Sequence, residues 1–275
     1  MATAKKKEAP KPETKAESVA STEATKAVAT ATQGALPAIS GASERIKAAL
    51  AEVADNLKSV ENYRLPRTKL TSEGFELSEG EEPVEELEGI LIHAKKTNVY
   101  YDKPYNASDV TPPTCFSLDG DKPDKSIQKP IHATCKGCPM AEFGTNAMKS
   151  GKACRNLKPL FLIRQSEDGM AIIPRQITIT PTSLKSANQY LMDLTERGIA
   201  YRKVLTKITT YKENAKDPYR KMKFSIAKRL DAQDVADVEV LRKQWLPIMD
   251  AQNVDQNEVD SGAGAAVAAE ASGEY

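Results

Sequence analysis

The chain has 275 residues, 28% of them charged and 5% aromatic, with a net charge of +1. No apolar run approaches the roughly 18 residues that cross a bilayer, and "MATAKKKEAPKPETK" lacks the apolar core of a secretory signal. These features predict a soluble intracellular protein, where clustered cysteines bind metal or do chemistry more often than they form disulfides.

The near-zero net charge conceals segregation. Residues 1–41 are rich in Ala, Thr, Lys, Glu and Pro and read as a disordered arm. Residues 73–88 hold eight Glu and no base, residues 93–229 hold 25 Lys plus Arg against 12 Asp plus Glu, and no base follows Lys243. The last stretch, 250–275, reads as a disordered acidic tail. A basic body with an acidic tail predicts a polyanion-binding surface.

In chain order, residues 41–60 place Ile46, Leu50, Val53 and Leu57 on one helical stripe, with Ser43 as the cap. Residues 63–70 read as extended. Residues 86–101 read as one long strand, bulged at Gly89. The stretch 103–156 is a loop too long to order itself without a staple. A hairpin follows, 157–165 and 170–180, turning at Ser166–Gly169. Thr180, Pro181 and Gly198 bracket a helix over 181–197 with Leu184, Ala187, Leu191 and Leu194 inward. Strands over 200–211 and 219–228 come next, then a helix near 231–246. The order β-β-β-α-β-β predicts a mainly β protein with flanking helices, an OB-fold-like five-stranded barrel with a zinc-binding insertion. The expected domain is 42–229, with the insert at 103–156 and a C-terminal helix at 230–249.

The four cysteines are spaced Cys115-x19-Cys135-x2-Cys138-x15-Cys154. A C-x-x-C turn brings two thiolates onto one ion, and two distant cysteines complete a tetrahedral set. This predicts one structural zinc on Cys115, Cys135, Cys138 and Cys154, which would order the loop. A set with His132 replacing Cys115, an iron–sulfur cluster, and unrelated thiols or disulfides are the alternatives. Within the insert Lys149, Lys152 and Arg155 stand among Gly144 and Gly151, as in a phosphate-contacting loop, but no P-loop motif is present.

Strand parity supplies the nucleic-acid candidates. Tyr201, Lys203, Lys207 and Tyr211 fall on one face of 200–211, and Tyr219, Lys221 and Lys223 on one face of 219–228, opposite Met222, Phe224 and Ile226. Rings stack on unpaired bases and lysines neutralise the backbone between them. Tyr100, Lys152 and Arg155 extend the candidate groove. The chain has two histidines, His93 within a predicted strand, and Asp119, Asp121 and Asp124 look like turn residues rather than a two-metal set. A non-enzymatic role is expected.

The stretch "CKGCPMAEFGTNAMKSGKACRNLKPLFLIR", then "ITPTSLKSANQYLMDLTERGIAYRKVLTKIT", resembles a family encoded by tailed bacteriophages and mobile elements. Its pattern is C-x-x-C-P, F-G, then G-K-x-x-A-C-[KR], and a Pro-x-Ser-Leu-[KR] helix start. The resemblance covers about residues 62–229, and "PPTCFSLDG" fits the first-cysteine segment. The plan is also similar to phage single-stranded-DNA-binding proteins, which join an OB barrel to an acidic tail and in some cases carry a zinc insertion. The ligand set differs from the one-histidine, three-cysteine site of such insertions. The resemblance implies a single-stranded-DNA-binding protein of phage replication or recombination in the cytoplasm of an infected bacterial host. The acidic tail would recruit replisome proteins. The alternative is a zinc-ribbon adaptor or transcription factor that binds a protein partner or duplex DNA.

Overall fold

The computed structural model describes residues 42–60, 63–78, 80–103, 112–166, 169–215, 217 and 219–252. The expected arm, 1–41, and all but the first residues of the expected tail lie outside them.

Helix α1 (Glu44–Leu57) starts where Ser43 Oγ accepts from Ile46 N at 3.4 Å, and it buries Ile46, Leu50 and Leu57. Strands β1 (Arg67–Leu70) and β2 (Phe75–Glu76) form a short hairpin. The long strand expected over 86–101 is two, β3 (Glu86–Ala94) and β4 (Thr97–Tyr100). At the break, Lys95 N donates to Pro159 O at 3.1 Å, and Pro159 has no N–H to return. The bulge falls between Leu91 and His93 rather than at Gly89. Gly89 is instead a close approach, since a Cβ there would sit 2.6 Å from Leu162 Cδ1 and 3.0 Å from Ile163 O.

After β5 (Cys115–Ser117) and a 3-10 turn at Pro139–Ala141, β6 (Arg155–Ser166) runs for 12 residues. The expected return strand 170–180 is two pieces, β7 (Gly169–Met170) and β8 (Arg175–Ile179). Helix α2 (Pro181–Glu196) has Pro181 in its first turn and Gly198 at φ 66° just beyond its end. Thr180 occupies the N-cap position, yet its hydroxyl meets Thr182 Oγ1 at 3.1 Å instead of capping the backbone. Strands β9 (Val204–Tyr211) and β10 (Lys221–Arg229) precede α3 (Ala232–Ala251), which is capped by Asp231 and continues through Pro247.

The described strands number ten, in one mixed sheet whose main path is β10-β9-β3-β6-β8-β1-β2, with β4 and β7 paired to β6 off this path and β5 paired to β4. The β1–β8 pair is parallel and the others are antiparallel. The sheet curls into a half-barrel with three helices around it. Its inner face, with Leu91, Leu162, Ile177, Ile208 and Met222, packs on Ala187, Tyr190 and Leu194 of α2. The outer face, with Ile90, Ile92, Phe161, Ile163 and Leu205, packs on α1 and α3 through Ile46, Leu50, Val238, Leu241 and Trp245. Burial on both faces explains why β3 and β6 read as continuous apolar runs. Strands β8 and β10 do not pair; α2 fills the seam, and Ser183 Oγ accepts from Met222 N at 3.0 Å.

Candidate metal centre and nucleic-acid interface

The insert is built on the end of β6. Strand β4 pairs with both β5 and the first residues of β6, with Tyr100 opposite Cys115 and Val99 opposite Arg155. Val99, Phe116 and Leu157 form a small core beneath this three-stranded piece. A network of turns completes it. Asp119 Oδ1 accepts from Ser117 Oγ, Asp121 N and Lys122 N at 2.7–3.0 Å, which holds its carboxyl below the usual range. Asp119 is thus the turn residue expected from the sequence.

All four cysteines line one cavity of about 20 Å³, enough for about one small ion or water. Cys115 comes from β5. Cys135 and Cys138 flank Gly137, whose φ of 79° permits the tight turn, and Cys138 N reaches Cys135 O at 3.4 Å. Cys154 N donates to Met140 O at 2.7 Å just before β6. Tyr100, Phe116, Ile131 and Met140 supply apolar wall.

Burial pushes the Cys154 thiol up to about 12, and the other three cysteines push the same way against Lys152. Cys115 is raised chiefly by burial, with Cys135 and Cys138 adding and a hydrogen bond from the Ile131 backbone opposing. Mutual repulsion of thiolates is what a bound divalent cation would relieve. Among the described residues, no three His, Cys, Asp or Glu side chains stand close enough to hold an ion as placed. The four thiols line one cavity without standing within ligating distance of a common ion; four cysteine sulfurs are a donor set of the kind that zinc and other thiophilic metals take. His132 also lines the cavity, but it is exposed and its Nδ1 is engaged 2.8 Å from Thr134 O.

Comparison with family models, curated proteins and solved structures gives no match.

The nucleic-acid candidates divide into separate groups. Lys207 and Tyr211 of β9 and Lys221 and Lys223 of β10 do share the outward face, with Tyr211 directly opposite Lys221. Tyr219 is half-buried just before β10. Tyr201 and Lys203 do not join this face. They form a 3-10 turn ahead of β9, where Tyr201 packs on the inner core and Lys203 O accepts from Leu230 N at 3.1 Å. Strand parity cannot extend past the residue at which the strand begins. Tyr100, Lys152 and Arg155 belong to the insert: Tyr100 lines the cysteine cavity, Lys152 Nζ lies 3.5 Å from Asn156 Oδ1, and Arg155 opens β6.

Two of the three candidate lysines on this face, and Arg220 beside them, already have anionic neighbours. Lys207 Nζ meets Glu86 Oε2 at 2.5 Å, Arg220 Nη2 meets Glu85 Oε1 at 2.6 Å, and Lys221 pairs with Glu213. Hydrogen bonding to these carboxylates raises the Lys207 and Lys221 ammonium groups. Glu85, Glu86 and Glu213 are carboxylate neighbours of this face that strand parity alone missed. The available signal was the acidic run 73–88, which ends in the strand that pairs with β9.

Proposed function

We propose that the chain is a non-enzymatic single-stranded-DNA-binding protein of phage replication or recombination. It would work in the cytoplasm of an infected bacterial host. One structural zinc, held by Cys115, Cys135, Cys138 and Cys154, would tie the insert to the barrel. The acidic C-terminal segment would engage replisome proteins.

The observation that carries this reading is strand order. Counting β3 with β4 as the first long strand, the succession β8-β6-β3-β9-β10 places the third, second, first, fourth and fifth side by side. The helix lies between third and fourth. We read that succession as a five-stranded OB barrel opened at one seam, a fold that binds oligonucleotides. The short β1, β2 and β7 are additions to it. The similarity in plan to phage single-stranded-DNA-binding proteins supports the same class, and the cysteine-motif resemblance supports a phage origin. No described helix is long and apolar enough to cross a membrane.

The test is fluorescence anisotropy with labelled single-stranded and duplex oligonucleotides of equal length across a salt series, with metal measured on the same sample. Single-strand preference that weakens steeply with salt supports the proposal. Equal or duplex-favouring binding rejects it. One observation favours the zinc-ribbon adaptor as a second reading: Lys207 and Lys221 of β9 and β10 are paired internally, while the cysteine unit rests on its own three-stranded piece of the sheet. Retained partner binding after mutation of Lys207 and Tyr211 would favour it.

A further inference from the structure

Phe143 is the most exposed large apolar side chain among the described residues, at 77%. Such a ring ordinarily turns inward, yet its loop is held by hydrogen bonds. Gly144 N donates to Gly151 O at 2.9 Å, and Asn146 Oδ1 accepts from Ser150 N at 2.9 Å and Gly151 N at 3.1 Å. Thr145 Oγ1 lies 2.7 Å from Glu142 O and accepts from Ala153 N at 3.0 Å. Lys149 adopts a left-handed φ of 57°, beside Gly144. The loop backbone thus fixes where Phe143 stands.

The surroundings select the partner. Residues 132–156 carry Lys136, Lys149, Lys152 and Arg155 against Glu142 alone. Lys136, Lys149 and Lys152 form no ion pair with a described residue, unlike Lys207 and Lys221 on the sheet. A protein-docking patch needs contiguous apolar area, and here only Met148, at 39% exposure, and Ile131, at 36%, join Phe143 within the insert. One presented ring among cations matches the alternation of base and phosphate in a single strand.

We propose that Phe143 is a base-stacking residue for single-stranded nucleic acid, with Lys149 and Lys152 meeting the flanking phosphates. This rests on the single-strand-binding function proposed above and moves part of that surface from the sheet onto the insert.

The experiment uses the full chain and a labelled oligo-dT, read by anisotropy over a salt series. Phe143→Ala should bind about tenfold more weakly, the loss of one base–aromatic stack, with an unchanged salt slope because no cation is removed. Phe143→Trp should keep the affinity and lose emission on binding. The native Trp245 is 3% exposed and supplies a constant background. Wild-type affinity in Phe143→Ala, or Phe143→Trp emission that ignores bound DNA, overturns the stacking role and leaves the wider function standing. Failure of the wild type to bind single strands overturns both.

Discussion

The Lys95 ammonium donates to the backbone oxygen of Gln252 at 2.9 Å. It also reaches Asp250 O at 2.8 Å and Met249 O at 3.3 Å. These are carbonyls at the C-terminal end of α3, which no helical N–H can satisfy. His93 Nε2 adds a contact to Asp250 Oδ1 at 2.9 Å. The break between β3 and β4 therefore serves a purpose: it turns a lysine onto the end of a helix that packs across the outer face of the sheet.

Burial pushes the Lys95 ammonium from 10.5 down to about 8, with Asp250 and Asp124 opposing the shift. Between those values the unfolded chain holds a proton that the folded chain releases. The contribution of Lys95 to stability therefore rises with pH across that window and is flat below it. Urea unfolding of the wild type and of Lys95→Met at pH 7.5 and pH 10 isolates the effect. The wild type should gain on the variant at the higher pH, and parallel pH dependence would refute it.

Asp237 of α3 is buried and accepts from three donors. They are Ser43 N at 2.7 Å, Ser43 Oγ at 2.8 Å and Gln233 Nε2 at 3.1 Å. It anchors the start of α1 to α3. Asp237→Ala should lower stability by about 1 kcal/mol, since the half-buried Ser43 N–H and hydroxyl lose their acceptor. Chemical denaturation measures this, and a change below about 0.5 kcal/mol, the scale of ordinary surface substitutions, would show that the tie is dispensable.

Metal removal should loosen the insert and spare the half-barrel. Residues 112–154 contribute nothing to the core around Trp245 or to the core under α2. A chelator, or Cys154→Ser, should lower zinc from about one per chain to none. Amide exchange should accelerate within the insert while Trp245 emission stays constant. Loss of the Trp245 signal together with the metal would make the ion essential to the whole fold.

Removing the carboxylates that hold Lys207 and Lys221 should strengthen single-strand binding. With Glu86→Gln and Glu213→Gln combined, each freed cation that meets a phosphate steepens the log–log salt slope by about 0.7. An unchanged slope would place the sheet face outside the binding surface.

Punctuated elements were legible in the sequence. Ser43 caps α1 as expected, and Pro181 with Gly198 brackets α2, because capping is chemistry internal to a few neighbouring residues. The grouping of the cysteines around one cavity followed from their spacing. What eluded the sequence was tertiary. Nothing local to 86–101 announces that Pro159, more than 50 residues on, meets Lys95 and ends β3. The parity argument held for Lys207, Tyr211, Lys221 and Lys223 and failed for Tyr201 and Lys203, which precede the strand. Glu86 became a partner of Lys207 only through the β3–β9 register. Phe143 was legible only once its exposure was seen, since a phenylalanine in a loop is as readily a core residue of that loop.

Strand β6 pairs with β3 over residues that begin at Ala94 opposite Leu160, and the whole insert lies in the connection between them. Closing so long a connection is a kinetic expense as well as an entropic one. The pairing of β4 with β5 and with the start of β6 shortens it, delivering Leu160 to Ala94 as a neighbour rather than as a distant encounter. The insert is therefore a folding clamp. Whatever orders it first raises the rate at which the central pair of the half-barrel finds its register, and a chain made without that order would reach the same sheet more slowly.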